Sequence, residues 1–119
     1  MTEKFKVGKR VYCFRGVYKG CFGKVTHVGR RHVEFACEKT GMDMEDCHPS
    51  CLIVEGEKVK VHTIGYSEKG LERKVYLDKY GAYFKQWGHK HDMEYSAQGH
   101  FYQVASNSEV FKYRNKGAK

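Results

Sequence analysis

The sequence lacks any apolar run that approaches the ~18 residues of a membrane span. Its first residues, Met1 to Lys6, carry no apolar segment behind their charges, which argues against a secretory signal. Hydrophobic residues make up 40% of the chain and charged residues 30%, so a folded core is feasible and disorder is not expected. We therefore expect a soluble cytoplasmic protein with no membrane partner.

A complete disulfide framework is also missing, because five cysteines cannot all pair within the chain. Without a signal sequence, reduced thiols are the simpler expectation. The segment Cys47-His48-Pro49-Ser50-Cys51 places two thiols four positions apart, and Cys37 lies on a predicted neighbouring strand. A structural zinc site needs four such ligands, usually as two C-x-x-C pairs, which this chain lacks. We expect core cysteines here, and neither a metal nor a cofactor.

Acidic residues are scarce at the start of the chain and abundant directly after it. Residues 1–31 hold nine lysines and arginines against Glu3 alone, whereas residues 32–56 hold six carboxylates against Lys39 alone. Residues 57–119 hold twelve basic and seven acidic side chains. The net charge of +8 favours an anionic partner. The uneven distribution predicts a basic flank and an acidic flank.

Alternating apolar and polar residues predict short strands and almost no helix. In the first half these strands are Lys9 to Phe14, Phe22 to Val28, His32 to Glu38 and Cys51 to Val54, with a loop at Lys39 to Asp46. In the second half they are Lys58 to Thr63, Arg73 to Asp78, Ala82 to Trp87, His89 to Tyr95, His100 to Ala105 and Glu109 to Tyr113. A loop is predicted at Gly65 to Gly70. The basic tail that begins at Arg114 is expected to fray. The prediction is an all-β protein with a boundary at Glu55-Gly56-Glu57.

A glycine-punctuated stretch separates the first two predicted strands. Gly20 and Gly23 fall where the chain must turn sharply, and glycine tolerates the positive φ that such corners need. The pattern Lys-Gly-x-x-Gly-x-Val-x-x-Val, from Lys19 to Val28, resembles the KOW motif of small SH3-like barrels in NusG-type transcription factors and ribosomal proteins. The resemblance implies an SH3-like barrel at residues 1–56, followed by a second β-rich domain or sheet extension at 57–119. It also implies a partner that is RNA, DNA or a protein of the transcription or translation machinery.

Positive charge interleaved with flat side chains predicts a nucleic-acid surface, because lysine and arginine contact phosphates and aromatic rings stack on bases. The candidates in the first half are Lys9, Arg10, Arg15, Tyr18, Lys19, Lys24, Arg30 and Arg31, and those in the second half are Tyr80, Tyr83, Lys85, Trp87 and Lys90. Tyr83, Lys85 and Trp87 share a face if Ala82 to Trp87 is one strand. One register exposes that triplet, and the opposite register buries Trp87 in the core.

Two further function classes compete with nucleic-acid binding. His89, His91 and Asp92, with His100 nearby, offer acid–base groups, but no nucleophile elbow or phosphate loop accompanies them, so we expect no enzyme. The stronger alternative is a protein-interaction module or inhibitor, in the style of small virus-encoded proteins. Such a protein would dock on an acidic face of a host machine that handles nucleic acid. We predict non-catalytic binding of DNA or RNA, mainly through the phosphate backbone.

Overall fold

The computed structural model describes residues 3–63 and 70–116, which divide into two compact units, Met1–Glu55 and Gly56–Lys119. The regular secondary structure of both units is almost all β-strand, and the described residues also include one short α-helix and one 3₁₀ helix. The predicted all-β class is therefore confirmed. No helix in these two described ranges is both long and apolar enough to cross a bilayer.

The first unit is one five-stranded antiparallel sheet. Its strands are β1 (Arg10–Cys13), β2 (Phe22–Val28), β3 (Val33–Cys37), β4 (Asp43–Cys47) and β5 (Leu52–Val54), in the spatial order β4-β3-β2-β1-β5, with a short 3₁₀ helix at Pro49–Cys51. Period-two alternation places one set of side chains on the inner face of the sheet. That face builds a core from Phe5, Val11, Cys13, Val25, Val33, Phe35, Cys47, Leu52 and Val54.

Strand β4 corrects the predicted loop at residues 39–46. It carries Asp43, Glu45 and Asp46 and is buried only at Cys47, so its sequence shows no apolar alternation. The register against β3 shifts between Val33 and Phe35, and Asp46 has a φ of 57°. Charged side chains suit this strand because it lies at the sheet edge, where they discourage pairing with another chain.

The two glycines of the glycine-punctuated stretch serve different purposes. Gly20 has a φ of +96°, which confirms the predicted corner. Gly23 lies inside β2, where a Cβ atom would collide with the backbone of Ala36 and come within 2.6 Å of the Phe35 ring. Gly23 is therefore needed for the close approach of β2 to β3, and the prediction of a second sharp corner there is wrong.

The second unit is a six-stranded sheet with one helix. Its elements are β6 (Lys58–His62), β7 (Leu71–Lys74), β8 (Tyr76–Asp78), β9 (Gly81–Gln86), β10 (His89–Tyr95), β11 (Phe101–Gln103) and α1 (Glu109–Arg114), with the strand order β7-β6-β11-β10-β9-β8. Strands β6 and β11 are parallel and the other described pairs are antiparallel. The predicted strand at Arg73 to Asp78 is two strands separated by Val75. The predicted loop at Gly65 to Gly70 lies, apart from Gly70, outside the described residues.

Helix α1 corrects the strand predicted at Glu109 to Tyr113. Ser108 caps it, since its Oγ accepts a hydrogen bond from the Phe111 amide at 3.2 Å. Arg114, predicted to lie in a frayed tail, is buried and donates to Asp78 Oδ1 and Asp92 Oδ1, each at 2.7 Å. Six residues are too short for a helical period to be visible in the sequence, so the tertiary anchor at Arg114 decides the local conformation.

Candidate nucleic-acid interface

Five of the predicted cations in the first unit are exposed, namely Lys9, Lys19, Lys24, Arg30 and Arg31. Within residues 3–63 and 70–116, none of these five side chains forms an ion pair. Each therefore presents its charge to solvent without a neighbouring carboxylate partner. This is the state in which a cation can contact a phosphate at the lowest desolvation cost.

Four of these cations lie on strand β2 or in the turns at its two ends. Lys19 lies in the turn before β2, Lys24 points outward near its middle, and Arg30-Arg31 form the turn that leads to β3. The seven residues of β2 span roughly 20 Å at the usual rise of a strand. The four cations are thus spread along β2 and the turns at its two ends, and we call this set the β2 row. The acidic strand β4 lies beyond β3, about 10 Å from β2 at normal strand spacing.

Arg10 and Arg15 are engaged within the unit. Arg10 Nε lies 2.8 Å from Glu38 Oε2 and its Nη1 lies 3.7 Å from Glu55 Oε2. Arg15 Nη2 donates to Ser50 Oγ at 2.8 Å. These carboxylates compete with a phosphate for Arg10, so its predicted role has less support than that of the five exposed cations.

Tyr18 lines a cleft of about 520 Å³ instead of offering a free ring face. Its hydroxyl donates weakly to the Glu45 carbonyl at 3.4 Å, and its ring packs against the core. The thiols of Cys13, Cys47 and Cys51 also line this cleft. The Cys47 thiol donates to Cys13, which lowers the pKa of Cys13 and raises the pKa of Cys47.

All five cysteines are free thiols, as predicted. The four residues considered for zinc, Cys37, Cys47, His48 and Cys51, do not form a ligand cluster in the part of the chain that the structure describes. His48 instead caps the 3₁₀ helix, because its Nδ1 accepts a hydrogen bond from the Ser50 amide at 3.1 Å.

In the second unit the predicted triplet is divided. Tyr83 is buried, with its ring 4.9 Å from the Arg114 guanidinium and 5.5 Å from the Tyr76 ring. Lys85 is exposed, and the Lys90 ammonium lies 5.2 Å from the Tyr83 ring. The first predicted register is thus correct for Ala82 and Phe84, which are buried, and for Lys85 and Trp87, which are exposed. It is wrong for Tyr83, whose ring packs against Arg114, a residue distant in sequence.

Trp87 is 79% exposed and lies in the turn between β9 and β10. Gln86 pairs with His89, and the two residues between them, Trp87 and Gly88, have φ values of 52° and 78°. This is the pattern of a type I′ hairpin turn, in which asparagine or glycine is preferred at the first position. A tryptophan in this conformation is strained, and such strain is often found at functional sites.

A cleft of about 450 Å³ opens beside Trp87, lined among others by His89, His91, Gln103 and Phe111. His91 Nδ1 lies 2.8 Å from Gln103 Nε2, which donates to it. Burial lowers the pKa of His91, so its imidazole is neutral at pH 7 and carries its proton on Nε2. Neither His91 Nε2 nor Gln86 Oε1 has a hydrogen-bond partner of acceptable geometry within the described ranges. The aromatic rings and the few polar groups that line this cleft would suit a flat heterocyclic ligand.

No family model matches the chain, and no match appears among the curated proteins or the solved structures. The KOW resemblance therefore stays a prediction that depends on the glycine-punctuated stretch.

The sequence did not indicate the cleft beside Trp87. His91 and Gln103 lie on strands that were predicted, but their side-chain contact joins positions twelve residues apart. Phe111 was assigned to a strand, and only the helix brings its ring to 5.2 Å from that of His91. The signal that was available is Gly88, because glycine is typical of the second position of a two-residue hairpin turn, whereas Trp87 before it is not.

Proposed function

We propose that this protein binds nucleic acid without catalysis, through the phosphate backbone. The observation that supports this best is the β2 row, together with Lys9, because these exposed cations have no carboxylate partner within the described residues. Lysine and arginine that contact phosphates release condensed counterions, and this release drives association with little preference for base sequence. The cations of the row are distributed over the length of β2, which suits a linear polyanion.

Trp87 supplies a second type of contact in this proposal. A protruding indole stacks on an unpaired base, whereas bases inside a duplex are already stacked on one another. Because Trp87 is held at a hairpin tip by a left-handed backbone, its ring stays exposed even without a ligand. We therefore expect single-stranded DNA or RNA to bind more tightly than a duplex of the same length at equal salt.

The test is a triple charge-removal variant, Lys24→Gln, Arg30→Gln and Arg31→Gln, compared with the unchanged protein by fluorescence anisotropy on labelled oligonucleotides. We expect the affinity to fall by more than about tenfold, and the slope of log K against log salt to fall by about 0.9 per lost phosphate contact on a duplex. The matched control is Lys39→Gln, Lys112→Gln and Lys116→Gln, which removes three charges from exposed positions outside the row. Equal affinity of the two triple variants would contradict the proposal.

A protein-interaction module is the second candidate, and the cleft lined by Tyr18 favours it. Val17 is 96% exposed and lines this cleft together with Glu45 and Asp46. An exposed aliphatic side chain next to acids suits a protein surface better than a phosphate. Retention of one protein from nuclease-treated lysate, lost on Val17→Asp and accompanied by no oligonucleotide binding, would favour this candidate.

A further inference from the structure

Two histidines and a glutamate converge on the β2–β3 hairpin of the first unit. One ligand atom from each of His27, His32 and Glu34 lies within 4.8 Å of the others, and the two imidazole centroids are 5.9 Å apart. Within the described residues this is the one group of three or more potential metal ligands that meets this distance criterion. Neither the cysteine segment nor the His89–Asp92 segment forms one.

A β-bulge makes this convergence. Val25 pairs with Phe35, but the next pair is His27 with Glu34, so Thr26 is an extra residue on β2. Under strict alternation His27 would share the inner face with Val25. The bulge reverses the alternation, places His27 opposite Glu34 and leaves its imidazole exposed. Residues directly opposite each other in a sheet project to the same face, so both side chains point outward.

A glycine makes room for the third side chain. Gly29 lies opposite His32, as shown by the hydrogen bond from the Gly29 amide to the His32 carbonyl at 2.9 Å. A Cβ atom at Gly29 would lie 2.6 Å from His32 Cε1 and 2.9 Å from His32 Nδ1. The missing side chain thus lets the His32 ring lean across the hairpin toward His27. This positional use of glycine is independent of the ligand distances themselves.

We propose that His27, His32 and Glu34 bind a divalent transition-metal ion, with zinc the best match. Two imidazole nitrogens and one carboxylate oxygen are a donor set that zinc and its neighbours accept, with the remaining positions open to water or an anion. Zinc with bonds of about 2.1 Å holds tetrahedral donor atoms about 3.4 Å apart. The present donor atoms lie within 4.8 Å of one another, and rotation of the exposed His27 side chain can bring its nitrogen closer to the other two. The positive charges of Arg30 and Arg31 in the turn favour an anion at the open position. The site does not depend on the proposed nucleic-acid function.

The experiment is a zinc titration of the full chain, kept reduced and free of nucleic acid, by isothermal calorimetry. We expect one equivalent of zinc to bind, with affinity reduced by more than about tenfold in each of His27→Ala, His32→Ala and Glu34→Gln. Gly29→Ala removes no ligand but pushes the His32 ring aside, so it is expected to weaken binding as well. The matched control His89→Ala removes an exposed imidazole from the other unit and is expected to bind zinc normally.

Cobalt(II) used in place of zinc separates this site from the five thiols. A histidine–carboxylate site gives visible d–d bands without thiolate-to-cobalt charge transfer in the near ultraviolet, whereas cysteine ligation produces that transition. Absence of zinc binding, binding that survives all three ligand variants, or a thiolate charge-transfer band would each overturn the proposal.

Discussion

At the scale of single residues, Trp87 shows how the backbone determines what a side chain is available to do. Its φ of 52° keeps it at the tip of a two-residue turn, and no strand face covers its ring. A residue in this conformation costs of order 1–3 kcal/mol, and asparagine or glycine would avoid much of that cost. A tryptophan at a strained, exposed position favours a role for its ring outside the folded core.

We predict that Trp87→Ala weakens binding to a single-stranded oligonucleotide by about 1–3 kcal/mol, because one base loses its stacking partner. Duplex affinity is expected to change little, since it depends on the cations of the β2 row. Anisotropy titrations on both ligands measure the difference. Tyr113→Ala is the matched control, because it removes another aromatic ring that is 63% exposed. An equal loss on both ligands would show that the substitution acts through folding and not through stacking.

At the scale of secondary-structure elements, the alternation of apolar and polar residues predicted most of the strands. Strands β1, β2, β3, β5, β6, β9 and β10 appear near their predicted positions. In β1, β2 and β3 buried residues alternate with less buried ones, whereas β5, β9 and β10 are buried over three or four consecutive residues. Strand β4 was missed because its exposed edge needs no apolar face. Helix α1 was missed because its six residues are fixed by Ser108 and Arg114, and not by propensity.

The candidate site was less predictable than the strands, because it depends on contacts between residues that are distant in the sequence. The exposure of Lys24, Arg30 and Arg31 follows from local pattern and agrees with the expected basic flank. The neutralisation of Arg10 by Glu38 joins residues 28 positions apart, and no local pattern indicates it. The outward position of His27 requires a bulge, and a one-residue insertion into the alternation cannot be read from residue types alone.

Helix α1 offers a stability prediction at this scale. The Arg114 side chain is fully buried and bridges Asp78 of β8 and Asp92 of β10, so it joins the helix to two strands. We predict that Arg114→Leu lowers the free energy of unfolding by about 3–5 kcal/mol, because it leaves two partly buried carboxylates without their cation. Urea unfolding at neutral pH, followed by far-ultraviolet circular dichroism, measures the change. Lys112→Leu on the exposed side of the same helix is the control, and a similar small effect for both variants would rule out the bridging role.

At the scale of the whole molecule, the net charge of +8 matters less than how that charge is paired. Arg114 in the second unit and Arg10 in the first unit both form ion pairs with carboxylates of their own unit. The five exposed cations of the predicted site, namely Lys9 and the four of the β2 row, then set how many phosphates that site can neutralise. The acidic edge strand β4 limits the area over which a polyanion can lie without repulsion.

This count predicts the salt dependence of the unchanged protein. If Lys9 and the four cations of the β2 row are the groups that contact phosphates, log K for a duplex should fall with log salt with a slope of about −4.5, and a single strand should give about −3.5. Titrations from 50 to 200 mM salt measure both slopes, with a neutral backbone analogue of the oligonucleotide as the control that should show almost none. A steeper slope that Lys85→Gln reduces would indicate phosphate contacts from the second unit as well. A slope near zero on every ligand would contradict phosphate binding and leave docking to a protein as the better account of the exposed cations.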